Sequence, residues 1–255
     1  MNTFKIYFII LIAISFFACN TYQKKESDVV QTIAPTKDSI IKKPKISKDF
    51  ILGKFDYKTD TSFVLVDSKY SVKPLYLKNE AYTAFKSMQK AAEQDGITLN
   101  ILSGTRNFNE QKAIWERKWK RYEHLPPKER ALKILEYSSM PSTSRHHWGT
   151  DMDLNSLNNS YFALGHGKKI YDWLQKHANS FGFYQVYTEK SNGRTGYNLE
   201  RWHWSYLPLA SEYLNAYNNQ ISYNDINGFE GSEIAKELDV ITTYVNGIAL
   251  NAKTY

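Results

Sequence analysis

Polar and apolar positions divide the chain into three stretches. Residues 6–17 form a largely apolar run behind the single cation Lys5. Residues 20–48 mix Lys, Ser, Thr, Asp and Pro with no sustained apolar period. From residue 49 onward, apolar residues recur with helix or strand spacing. The run 63–66 predicts a short strand. Ala81, Ala84, Phe85, Met88, Ala91 and Ala92 recur at helical spacing, and Gly96 stands where that helix ends. Residues 97–102 predict a strand that stops at Ser103 and Gly104. Asn107, with Glu110 three places on, predicts a capping box opening a helix that carries Ile114, Trp115 and Trp119. Pro126 and Pro127 open another helix through Leu132 and Leu135. Residues 150–155 alternate as a strand, 167–181 are helical up to Gly182, and 183–187 and 201–206 are further strands. Two helices, around 210–217 and 233–245, close the chain. Helices and strands do not alternate strictly, so an α+β fold is expected rather than a doubly wound sheet. No internal repeat is present.

Composition narrows this picture. The 255 residues suffice for one large domain, and 42% hydrophobic with 23% charged residues is globular composition. Aromatics reach 15%, which suits a wet binding cleft and a filled core equally. One cysteine excludes an intramolecular disulfide and the zinc sites built on several thiolates, so any metal must rest on His and carboxylate. The net charge of +7 is concentrated in residues 19–48, where seven Lys face three acidic groups. The remainder is close to neutral and carries no Arg-rich stripe, so a nucleic-acid partner is not expected.

The apolar run is too short to span a membrane and reads as an export signal over residues 1–18. Ser15 to Cys19 resembles a bacterial lipobox, with Phe16 where Leu is commoner. Cys19 would then be the lipidated first residue, residues 19–48 a disordered basic tether, and 49–255 the folded domain with a C-terminal helical extension from about 207. The other reading is a plain signal peptide with an incidental Cys.

Three segments carry chemistry. Ser144 to Asp153 holds His146, His147, Asp151 and Asp153. Seven residues separate His146 from Asp153, which is wrong for one helix face but suits a loop turning at Gly149 into a strand. On that strand Asp151 and Asp153 share a face, while Met152 and Leu154 take the core side. Glu200 stands three residues before His203, and a turn can aim both at one spot. Arg106 sits at a strand-to-helix junction with Gln111 a little more than one helical turn on. Two His and one Asp make a three-ligand zinc site with a fourth position open, as in catalytic zinc. Glu200 is available as general base and Arg106 as the cation for a developing oxyanion. Asp151 could bind metal, hydrogen-bond a ligand or end a turn, and a supporting role is expected. His147 is an alternative ligand, but its neighbour fits better. His124, His166 and His177 read as structural or solvated, and Trp202 and Trp204 as core or cleft wall.

In this order the segments resemble the zinc D-alanyl-D-alanine carboxypeptidases of the VanY and VanX type. That family shows S-G-Y-R-S-x3-Q, S-x-H-x2-G-x-A-x-D and E-x-W-H; here Thr105, Asn107 and Asp151 depart from the pattern. The resemblance covers roughly residues 80–206. It implies a small antiparallel sheet flanked by helices, of the hedgehog/DD-peptidase type. It matches His146, Asp153 and His203 to the Zn2+ ligands, Glu200 to the base, and Arg106 to the transition-state clamp. Ser144 and Gln111 match substrate-holding positions. The expectation is a monomeric, lipid-anchored carboxypeptidase of the bacterial cell envelope, acting on peptidoglycan stem peptides. Two alternatives stand beside it: an L,D-carboxypeptidase or endopeptidase of the same family, and a non-catalytic zinc-containing wall-binding module. Intact Glu200 and Arg106 speak against the last.

Overall fold

The structure is a computed structural model that describes residues 46–253 and 255. The expected export signal, Cys19 and the tether as far as residue 45 lie outside the described residues. Among the described residues no helix is long and apolar enough to cross a membrane. Ser47 and Lys48, grouped with the tether in sequence, belong to the first helix. The Ser47 hydroxyl accepts the Phe50 amide at 3.1 Å and caps α1 (Lys48–Ile51).

Strands β1 (Phe63–Leu65) and β2 (Tyr76–Lys78) pair antiparallel as a separate ribbon. Helix α2 (Asn79–Gln94) follows at once. Its buried stripe is Ala81, Tyr82, Phe85, Met88, Gln89 and Ala92, the 3.6-residue period seen in sequence. The one polar member, Gln89, is satisfied: its side-chain oxygen accepts the Leu99 amide at 2.8 Å.

The main sheet contains β3 (Ile101–Ser103), β4 (Asp151–Leu154), β5 (Phe183–Gln185) and β6 (His203–Tyr206). The strand order is β3-β4-β6-β5, antiparallel throughout. Helices α3 (Phe108–Arg121), α4 (Pro127–Ile134), α5 (Gly165–His177) and α6 (Leu207–Gln220) surround it. The α+β class with a small antiparallel sheet is borne out. Alternation within the strands divides their residues between two faces. Met152, Leu154 and Trp204 join Phe85, Met88, Ile170 and Leu174 in one core. Asp151, Asp153, His203 and Ser205 take the other face. Register then aligns them, because Asp153 pairs with both Ser103 and His203, and Asp151 pairs with Ser205.

A second core joins α1, α3, α4 and the C-terminal segment. Trp115, Trp119 and Trp148 pack in one cluster with Leu214, Tyr217, Phe229, Val240 and Ile248. The Trp115 indole donates to the Glu230 carbonyl at 2.8 Å. The continuous helix expected over 233–245 does not form. A 3-10 turn (Ser232–Ile234) and a π-helical turn (Ile241–Val245) replace it, separated by Asp239 in the left-handed region at φ 46°. The β-branched run Val240 to Thr243 has weak helix preference, and the Asp239 carboxylate is held by the Tyr223 hydroxyl at 2.5 Å.

Candidate active site

His146 lies on a 3-10 turn (Arg145–Trp148) that ends at Gly149 in the left-handed region, φ 73°. A Cβ at Gly149 would run into the Phe63 ring, so only glycine admits this turn. The turn feeds β4, which carries Asp153. Glu200 comes from the loop before β6, and the His203 amide donates to its carbonyl at 3.3 Å across the turn. Among the described residues, His146, Asp153 and His203 place donor atoms within 4.8 Å of one another. His146 Nε2 stands 3.5 Å from Asp153 Oδ2, and His203 Nδ1 stands 3.1 Å from Asp153 Oδ1. The Glu200 carboxylate approaches the same His203 Nδ1 to 3.5 Å.

The far side of each ring fixes its tautomer. His146 Nδ1 lies 2.8 Å from the Gly104 carbonyl, which can only accept, so this nitrogen is the donor and Nε2 keeps its lone pair. His203 Nε2 lies 2.9 Å from the Asp151 carboxylate, so Nε2–H donates there and Nδ1 faces Asp153. The freed lone pairs and the Asp153 carboxylate make a nitrogen, nitrogen, oxygen donor set that fits zinc. His147 is excluded from this set. Its Nε2 accepts the Ser142 amide at 3.1 Å and its Nδ1 donates to the Arg106 carbonyl at 2.7 Å.

Asp151 anchors a buried layer that sequence patterns did not show. Its carboxylate accepts from Arg145 Nε at 2.9 Å, Ser205 Oγ at 2.7 Å and Thr150 Oγ1 at 2.7 Å, besides His203. Arg145 also donates to Ser205 Oγ at 2.7 Å and stacks over Trp148 at 4.9 Å. Shared-face alternation pointed to Asp151; its partners emerge only from register.

Electrostatics follow from burial and these contacts. Burial alone would raise Asp151, but Arg145 and His203 outweigh it and hold the carboxyl well below its ordinary range. Burial would likewise lower His203, yet its bonds to Asp151 and Asp153 push it up to about 9. Burial pushes Glu200 up to about 8; Asp153 adds to the rise, against the pull of His203 and Arg106.

Arg106 reaches the cleft between β3 and α3. Its Nη1 donates to Ser103 Oγ at 2.5 Å and its Nε to Gln111 Oε1 at 3.0 Å. Burial lowers its pKa, while Asp153 and Glu200 favour the charged form. Gln111 donates in turn to the Ser139 carbonyl at 2.8 Å, so its buried amide holds Arg106 in place. The Ser144 hydroxyl lines the cleft, buried and with no protein partner. The cleft has a volume of about 630 Å³. Trp202 forms part of its wall and Trp204 is in the core. His177 stacks on Trp173 at 4.9 Å, and neither lines the cleft.

A sheet floor carrying a His, Asp, His donor set beside a buried Glu defines a metallopeptidase-type site. The family model described as VanY, D-alanyl-D-alanine carboxypeptidase, matches residues 74–209, more than half of the chain, and the chain belongs to that family. The resemblance drawn from the three motifs is thereby borne out. YodJ of Bacillus subtilis (strain 168), named as a candidate carboxypeptidase, is 29% identical over 157 residues, covering 58% of this chain and 54% of YodJ. The chain thus matches about half the length of that curated relative. Among solved structures, the LdcB LD-carboxypeptidase gives a TM-score of 0.51 at 21% identity, covering 77% of this chain and 81% of LdcB. VanYB, solved with D-alanine-D-alanine, gives 0.49 at 21% identity, covering 66% and 93%.

Proposed function

We propose that the protein is a zinc-dependent D-alanyl-D-alanine carboxypeptidase that removes the terminal D-Ala of peptidoglycan stem peptides. The observation that carries this reading is the convergence of donor atoms of His146, Asp153 and His203 within 4.8 Å of one another, with the Glu200 carboxylate 3.5 Å from His203 Nδ1. When bound, zinc polarises the scissile carbonyl and acidifies water. Glu200, whose carboxylate stands 3.5 Å from His203 Nδ1 beside the ligand set, accepts the proton of the attacking water and returns it to the leaving amine. Arg106, oriented by Ser103 and Gln111, faces the negative charge that develops on the carbonyl oxygen. The Ser144 hydroxyl, without a protein partner, is free to bond the peptide. A lipid anchor on Cys19 and the tether of 19–48 would place the domain at the envelope, within reach of the wall.

The test is incubation of the zinc-loaded protein with muropeptides, read by mass spectrometry. Loss of one D-Ala from pentapeptides supports the reading. Trimming of tetrapeptides alone would replace it with L,D-cleavage, and intact muropeptides throughout would leave a wall-binding module.

A further inference from the structure

Helix α3 presents a second cation to the cleft beyond Arg106. Gln111, Ile114 and Lys118 recur at i, i+3 and i+7 and line the cleft along one stripe, with exposed Arg117 at its lip. Lys118 is half-buried, and its ammonium donates to the Ser138 hydroxyl at 2.5 Å. Ser139, the next residue, accepts from Gln111, so the ammonium lies against the segment that helps hold Arg106. No Asp or Glu among the described residues forms an ion pair with Lys118. Lys48, Lys58, Lys112, Lys128, Lys133 and Lys168 each have a carboxylate within 4.0 Å.

A half-buried ammonium with one neutral partner is unfavourable. Burial lowers its pKa, and the field of Glu200 only partly compensates. The carboxylates lining the cleft are Asp153, a member of the proposed ligand set, and Glu200, which stands beside His203. Lys73, Arg106, Arg117 and Lys118 outnumber them, so the cleft favours an anionic guest.

We propose that Lys118 binds a carboxylate of the substrate and sets which peptides the cleft accepts. This rests on the peptidase reading above. Two carboxylates have the required chemistry: the terminal carboxylate of the leaving D-Ala, and the side-chain carboxylate of diaminopimelate where other stem peptides carry lysine. A role confined to tying α3 to Ser138 would instead weaken every substrate alike.

The experiment compares wild type, Lys118→Gln and Lys118→Arg, full-length and with zinc quantified, on two peptide pairs. One pair differs in a C-terminal acid or amide, the other in diaminopimelate or lysine. In one pair Lys118→Gln should raise KM for the acid-bearing member by about ten- to a hundredfold and collapse the wild-type preference, while Lys118→Arg keeps most of it. The affected pair identifies the carboxylate. A loss equal across all four peptides, or wild-type preference retained in both pairs, overturns the proposal. If wild type binds without cleaving, the hydrolytic reading fails, and calorimetry on the same pairs decides Lys118. If wild type neither binds nor cleaves any of them, both proposals fall.

Discussion

His203 and His146 each have one ring nitrogen occupied by the protein and one left toward Asp153, and the two occupants differ in kind. His146 donates to a neutral carbonyl; His203 donates to a carboxylate that Arg145 and Ser205 hold in place. Such outer partners typically change metal affinity by about 10–100-fold when removed. Asp151→Asn keeps the volume and removes the charge. We expect zinc to bind about 10–100-fold more weakly, measured by competition with a chromogenic chelator; unchanged affinity would show that Asp151 does not orient His203. Glu200→Gln separates metal from chemistry. It removes the proton acceptor without removing a ligand, so D-Ala release should fall by about 10²–10⁴-fold with zinc content near one per chain. At this scale the sequence was informative where one segment holds the whole motif, as from Ser144 to Asp153. It was silent on the union of Arg145, Asp151 and Ser205, because Ser205 comes from another strand and only register brings it there.

Elements position these residues through their ends. Helix α3 begins at a complete capping box: Asn107 Oδ1 accepts the Glu110 amide at 2.9 Å, and the Glu110 carboxylate accepts the Asn107 amide at 3.0 Å. The Tyr57 hydroxyl donates to the same carboxylate at 2.9 Å, tying the cap to the segment after α1. Asn107→Ala should cost about 1 kcal/mol of stability, read as a lower urea midpoint with unchanged slope. A larger change in slope would mean that the cap governs more than this helix. Helices with a clear period and cap signals, such as α2 and α3, were legible from sequence. The segment 233–245 was not, because its apolar residues fill gaps around the tryptophans rather than one helix face. Gly231 shows the constraint: it is left-handed, at φ 74°, and a Cβ there would meet the Trp119 ring.

Across the whole molecule, the sheet floor collects charges whose protons respond to metal. In metal-free protein His203 holds its proton up to about pH 9, against an ordinary 6.5, because Asp151 and Asp153 bond the imidazolium. That contribution to stability is fully present below pH 6.5 and is lost as pH rises through 9. Glu200 acts in the same direction. The folded chain keeps its proton to about pH 8 and the unfolded chain releases it near 4.5, so stability falls between those values. His146 and His147, both lowered mainly by burial, oppose folding only where the unfolded chain would be protonated, below about pH 6.5. Asp151 and Asp153 are ionised in both states throughout the higher range. As pH rises from 6.5 to 9 the metal-free protein therefore becomes progressively less stable. Zinc on the proposed ligands would reverse the balance, since it would need His203 without the Nδ1 proton and would compete with that proton less as pH rises. Calorimetry of chelator-treated and zinc-loaded protein at about pH 6.5, 7.5 and 9 should show a falling metal-free Tm and a widening gap between the two forms. A metal-free Tm that holds steady or rises over this range would mean that His203 is not the imidazolium bridging Asp151 and Asp153.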